Sequence, residues 1–243
     1  MLIRNKGTFT IGLVLLITFA AVLVCILMPL YGPEGNKQNG LSVSDDFFNK
    51  LSKDSANYLQ DVTDEVNTTV TDQTMLDVTV KMAKPEDAAG AAGIFTKAGF
   101  AAEAKGADIH VSGALKPMLL KFIADARIVF DNDPEGKLKE FYGMGSEKAL
   151  TLVYEVANRS IKVLQKDKHF AEASIMNELN MRALEPAVNF YGINGEPVMK
   201  NIPALTGLLV FYVVYTLWYG YAIFYLFEGI GMTMKKSKVK KEV

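Results

Sequence analysis

Two apolar runs, one near each end of the chain, constrain what this sequence can become more than anything else in it. Residues 9–30 are broken only by Thr10, Thr18, Pro29 and small side chains, and a second run lies within residues 202–232. As a helix the first would be about 33 Å long, enough for a hydrocarbon core of about 30 Å. The reading is two transmembrane helices, at 8–31 and 202–232, with short segments 1–7 and 233–243 beyond them. A cleaved signal peptide would also open on a basic stretch such as MLIRNK. Its apolar core would be shorter, however, and LMPLYG offers no A-x-A-like cleavage site. A retained anchor is expected.

Charge gives the pair a direction. Arg4 and Lys6 precede the first run, and Lys235, Lys236, Lys238, Lys240 and Lys241 follow the second. Between the runs, residues 32–200 hold 19 Lys and Arg against 25 Asp and Glu, a net of −6. Basic flanks stay on the cytoplasmic side of a membrane. Both termini are thus expected inside a bacterial inner membrane, and the acidic middle outside it as a periplasmic domain. The single cysteine, Cys25, falls in the first run. The middle therefore carries no disulfide, no thiolate metal site and no covalent haem motif. With about 170 residues it is large enough for a core that needs no such staple.

Along that middle, residues 32–74 read as a Gly- and Pro-bearing linker and an amphipathic helix. Ser44 is its expected cap, and Phe47, Phe48, Leu51, Tyr58, Leu59, Val62 and Val66 recur at helical spacing. In LDVTVKM the residues Leu76, Val78, Val80 and Met82 alternate with polar ones, the pattern of a half-buried strand. Pro85 suits the first turn of a helix, and Gly99 the position just past its end. FAAEAKGADIHVSG reads as two strands about Lys105-Gly106, and residues 115–130 are helical again. The order over 75–131 is βαββα, which resembles half or more of a ferredoxin-like unit. Residues 132–201 read as a DNDPEG turn, a helical hairpin and a return linker. Ser146 is the expected cap of its first helix, Gly192 the end of its second, and Pro186 should bend the second. The expected fold class is α+β, with two transmembrane helices flanking the exported domain.

Motifs that would carry chemistry are sparse. Asp131-Asn132-Asp133-Pro134-Glu135-Gly136 opens like a calcium loop, but an EF-hand needs an acidic residue at the twelfth position, here Tyr142. A plain turn is expected instead. His110 and His169 stand far apart without a third ligand in recognisable spacing, so no metal is expected. His110 is the one candidate for a ligand-binding role. Tyr142-Gly143-Met144-Gly145-Ser146 reads as a turn and cap, not as a phosphate loop. Neither an enzyme nor a cofactor is expected. The basic tail follows from topology and lipid attraction, with no need of nucleic acid.

The second run holds the remaining signal. Nine of the chain's aromatic residues lie between 211 and 227, and Tyr215, Trp218, Tyr219 and Tyr221 fall near its middle, whereas an interfacial belt sits at the ends. At 100° per residue, Tyr212, Tyr215 and Tyr219 share one side of the helix. Trp218, Tyr221, Tyr225 and Glu228 share another, and Thr216 with Gly220 forms a small-xxx-small pair. The first run offers few polar partners beyond Thr10, Thr18 and backbone carbonyls. These nine residues are therefore the expected interface with an integral membrane protein, or with a second copy. The expectation for function is a non-enzymatic accessory or scaffolding subunit of a larger transport or respiratory membrane complex. The alternative is a membrane-anchored periplasmic module that binds or senses a small molecule.

Overall fold

The first apolar run becomes a helix where the Asn5 side chain accepts a hydrogen bond from the Thr8 amide, and it continues as α1, Lys6–Leu27. Pro29 ends it, because the residue before a proline is pushed out of the helical region. The computed structural model describes residues 3–232. The basic tail expected at 233–243 lies outside the described residues. The chain forms two units: one takes the residues before Asn49 and after Glu196, and the other is Asn49–Glu196.

In the first unit, α10 (Ile202–Gly229) runs antiparallel to α1, with Gly229 level with Phe9 and Tyr215 level with Phe19. Both helices are long and apolar enough to cross a membrane. Their seam is narrow: only Gly12 on α1, and Ala222 and Gly229 on α10, are buried. Helix α2, Gly40–Ser55, begins in this unit, continues into the second, which also holds the helix after it, and starts earlier than expected. The Asn39 side chain accepts from the Ser42 amide at its start, whereas Ser44 sits a turn inside and donates to the Gly40 carbonyl. The expected single amphipathic helix is also two. It breaks at 56–58, where Asn57 is a poor helix former, and resumes as α3, Leu59–Thr69.

The second unit contains a three-stranded antiparallel sheet in the order β1-β3-β2, built from β1 (Met75–Lys81), β2 (Ala101–Lys105) and β3 (Asp108–Ala114). Helix α4 (Pro85–Lys97) joins β1 to β2, with Pro85 in its first turn and Gly99, at φ +94°, just past its end. Alternation does the sorting that it predicted. Leu76, Val78, Val80, Ile109 and Val111 point to a buried face covered by α4 and by α7 (Ser146–Lys166), while Asp77, Thr79, Lys81 and His110 point to an open one. Helix α5 (Leu115–Phe130) closes the core, with Phe122 edge-on to Phe95 of α4.

The region after α5 is more helical than the sequence suggests. A short α6 (Lys137–Tyr142) precedes α7, and the second arm of the hairpin comes in pieces. These are α8 (Phe170–Leu179), a π-helical turn (Asn180–Leu184) and α9 (Glu185–Asn189). Pro186 accounts for the division: it has no N–H to donate and its ring crowds the carbonyl four residues back, so the helix widens just before it. Ser146 does not cap α7 with its side chain. Its hydroxyl instead donates to the Asp133 carboxylate, which also accepts from the amides of Lys137 (2.7 Å), Leu138 (3.1 Å) and Lys139 (3.4 Å). Asp133 thereby holds the start of α6 and the start of α7 together.

Candidate functional site

The side chains of α10 divide by whether α1 covers them. Tyr215 stacks on Phe19 with ring centroids 4.3 Å apart, and its hydroxyl donates to the Phe19 carbonyl at 3.3 Å. The Trp218 indole N–H donates to the Leu15 carbonyl at 3.1 Å. Of the few partners expected on the first run, the backbone carbonyls are the ones used, and they serve both groups. A helical carbonyl has a second lone pair to offer after its own intrahelical bond, and the approach is close enough to use it.

Glycine sets that approach. A Cβ on Gly229 would stand 2.6 Å from the Phe9 Cα, and one on Gly12 would stand 2.6 Å from the Leu226 nitrogen. Such backbone-to-backbone contact is what small residues permit in membrane helices. The small pair picked out by spacing, Thr216 and Gly220, is not used in this contact. Thr216 donates back to the Tyr212 carbonyl at 2.8 Å, and nothing lies within 4 Å of where a Gly220 Cβ would be.

The remaining members of the aromatic set face away from α1 to different degrees. Tyr212 is 65% exposed, Tyr221 56% and Tyr219 48%, although the Tyr219 ring still leans on Phe19 at 5.2 Å. Tyr221 stacks loosely on the partly covered Tyr225 at 6.4 Å. The hydroxyls of Tyr212, Tyr219, Tyr221 and Tyr225 have no hydrogen-bond partner among the described residues. Glu228 is exposed and forms no ion pair among the described residues. Because Trp218 reaches Leu15 and Tyr215 reaches Phe19, the segment 215–221 lies level with the middle of α1. Tyr212 lies nearer the end of α1, where an interfacial belt would sit.

In the α+β unit, His110 stands on the open face of the central strand. Its Nε2 lies 2.9 Å from Asp77 Oδ1, Thr79 is opposite it on β1 and Glu103 opposite it on β2. It lines none of the unit's described cavities. His169 precedes α8, with Nδ1 3.8 Å from Glu172. No group of three or more metal-ligating side chains gathers among the described residues. In the DNDPEG stretch the carboxylate of Asp133 is occupied by helix amides, and burial alone would push it up. The Ser146 hydroxyl and the amides of Lys139, Lys137 and Leu138 outweigh that, and hold the carboxyl below its ordinary range.

The unit also buries a charge that the sequence does not reveal. Lys53, only 4% exposed, donates to Asn132 Oδ1 (3.1 Å), the Phe190 carbonyl (3.2 Å) and the Ile193 carbonyl. Burial pulls this ammonium below its ordinary range, and Asp131 pulls it partly back. All three of its protons are used, so it ties segments together and leaves nothing to offer a ligand. Lys50 adds to the tie, its carbonyl accepting from the Glu196 amide at 3.1 Å and its ammonium meeting Glu196 Oε1 at 3.2 Å. Comparison with protein-family models, curated proteins and solved structures finds no match.

Proposed function

We propose that this chain is a two-span membrane protein that acts, without catalysis of its own, as an accessory or scaffolding subunit of a larger integral membrane complex. One observation carries the reading: the middle of α10 presents exposed Tyr219 and Tyr221, with hydroxyls that α1 does not serve, beside the open Thr216 and Gly220. An unserved hydroxyl away from water costs about 1–3 kcal/mol by mutational data, and more in pure hydrocarbon. A tyrosine at mid-depth stands about 15 Å from either interface, beyond the reach of its ring. Tyr219 and Tyr221, two residues apart, stand on opposite flanks of the Thr216–Gly220 face. Neighbouring helices on the two sides that offer acceptors would relieve them, and the gap at Gly220 lets one come close. Tyr212 and Glu228, nearer the ends of the span, would meet the same neighbours or the headgroups.

In this reading both termini are cytoplasmic and the α+β unit is periplasmic, as the basic flanks imply. The unit is a ferredoxin-like βαββα element, whose strand order β1-β3-β2 is that of such a fold without its last strand. A binding or sensing role gains no support from His110, which sits on an open sheet face and lines none of the unit's described cavities.

Purification of the full chain from membranes in mild detergent tests the proposal. The expected result is a stoichiometric membrane protein partner that is lost when Tyr219 and Tyr221 are both replaced by leucine, with insertion unchanged. Recovery of the chain alone would overturn it, as would retention of the partner by the double variant. Tyr215 and Trp218, which contact α1, are left intact so that the pair itself survives.

A further inference from the structure

The sheet of the α+β unit ends on β1, and the alternation of its backbone groups is fixed. The Leu115 amide donates to the Thr74 carbonyl and the Met82 amide to the Ala107 carbonyl, both at 2.8 Å. With the register Leu76↔Gly113, Val78↔Val111 and Val80↔Ile109, the even residues of β1 exchange hydrogen bonds with β3. The N–H and C=O groups of Asp77, Thr79 and Lys81 therefore point to the outer edge, where no other described strand pairs with them. Their side chains stand on the open face, and Asp77 is 77% exposed. An edge of this kind is a template for another strand.

We infer that the β1 edge pairs with the β1 edge of a second copy of this chain, antiparallel about a two-fold axis at Thr79. Outward-pointing residues must meet outward-pointing residues, so the hydrogen-bonded pairs would be Asp77 with Lys81 of the partner subunit, Thr79 with Thr79 of the partner subunit, and Lys81 with Asp77 of the partner subunit. Each pair exchanges two backbone bonds. The charges agree with this register: an acid meets a base at both ends and threonine meets threonine at the centre, combinations that stabilise directly opposed positions. Lys81 has no ion-pair partner of its own among the described residues. The pairing uses one surface on both copies and so closes at a dimer. The other free edge, on the shorter β2, presents outward only the backbone of Ala102 and Ala104, with no charge to fix a register.

The test uses the full chain in mild detergent or native membranes, with Cys25→Ser so that an introduced thiol is unique. Thr79→Cys should give a covalent dimer on oxidation, whereas Glu103→Cys, on the same open face but on β2, should stay monomeric. Asp77→Lys or Lys81→Asp should each lower the Thr79→Cys dimer yield about tenfold, since each places like charges opposite one another twice. The exchange of both should restore it. His110→Ala should leave the yield unchanged, which separates the Asp77–His110 contact within one chain from the contact between copies. Several results would overturn the inference: no dimer from a folded Thr79→Cys chain, equal linking at Glu103, failure of the charge exchange, or a loss of dimer with His110→Ala. Self-association detected only through Gly220→Cys would place it on α10 and count against the β1 edge.

Discussion

Two hydrogen bonds, one from each unit, show how differently the two halves of this molecule use polar groups. In the helix pair, Trp218 donates to a carbonyl of Leu15 that already belongs to a helical ladder. In the α+β unit, Ser146 and three amides converge on Asp133, and those donors have no other acceptor. The first bond serves a side chain that would otherwise go unserved on an apolar helix. The second organises a turn whose buried groups depend on it. The cost of removing a bond is set less by its length than by what its loss leaves unpaired. The two units also pack on different scales. The pair meets through a few small residues along a seam, while the α+β unit surrounds Phe122, Leu119 and Ile94 with apolar side chains on every side.

The sharpest way to break this comparison is Asp133→Ala. It removes the acceptor at the start of α6 and leaves the Ser146 hydroxyl buried and unpaired. A lost helix cap costs about 1–2 kcal/mol, and a buried donor without a partner adds about 1–3 kcal/mol, so a loss of about 3 kcal/mol is expected in denaturant unfolding of the α+β unit. The effect should depend on pH in a definite direction. The folded carboxyl titrates below its ordinary value of 3.8. The stability it supplies is therefore complete above that value and is lost as pH falls through the folded value. The parent and Asp133→Ala should converge in acid below pH 3.8 and differ fully at neutral pH. An equal difference at all pH values would mean that the carboxylate charge is not what the amides and Ser146 recognise.

What could be read in the sequence follows the same division. The strands were legible because Leu76, Val78 and Val80 alternate with residues that water accepts, and one face of the sheet is covered while the other is not. Helix α4 was legible because Pro85 and Gly99 have local reasons to stand where they do. The hydroxyls were not. Ser44 and Ser146 have the composition of caps, but the partner of a hydroxyl is chosen by whatever the fold brings near it, and for Ser146 that is Asp133. Lys53 carried no signal, since nothing in its neighbourhood distinguishes a buried lysine from the many exposed ones. On α10, angular spacing sorted Tyr215 and Trp218 onto separate sides. Helix α1 nevertheless engages both, because a neighbour covers an arc of the helix and not a single row. The signal that would have located that arc was glycine: Gly12 and Gly229 are where backbones meet.

Gly229→Leu tests whether this contact decides the pairing. Its side chain would have to displace the backbone at Phe9, which cannot swing aside as a side chain would. Overpacking of this kind costs about 1–3 kcal/mol, and a loss of about 2 kcal/mol is expected for the association of α1 with α10. Förster transfer between dyes on the two helices, followed during titration with a denaturing detergent, would measure it. Gly220→Leu, at a site open within the chain, should leave that transfer unchanged. If both variants behave alike, the seam does not run through Gly229.

The smallest effect belongs to Trp218→Phe. The substitution removes the indole N–H but keeps an aromatic ring in the seam, so the bond to Leu15 is lost with little change in packing. The Leu15 carbonyl keeps its intrahelical partner, and phenylalanine brings no polar atom that needs one. Nothing is orphaned on either side. Interhelical bonds of this type average about 0.6 kcal/mol in double-mutant cycles within membranes, and a loss of that size is expected in the same titration. Moving the indole should cost more than removing it. In Trp218→Phe combined with Leu217→Trp, the N–H would project from an exposed position on α10 into detergent or lipid, unpaired at mid-depth. The double variant should therefore insert less favourably into membranes than Trp218→Phe alone, read as the fraction of chain recovered in the membrane. If the two are equal, mid-span polar groups on α10 carry no penalty when unserved, and the exposed hydroxyls of Tyr219 and Tyr221 would then exert no pull on a neighbouring helix.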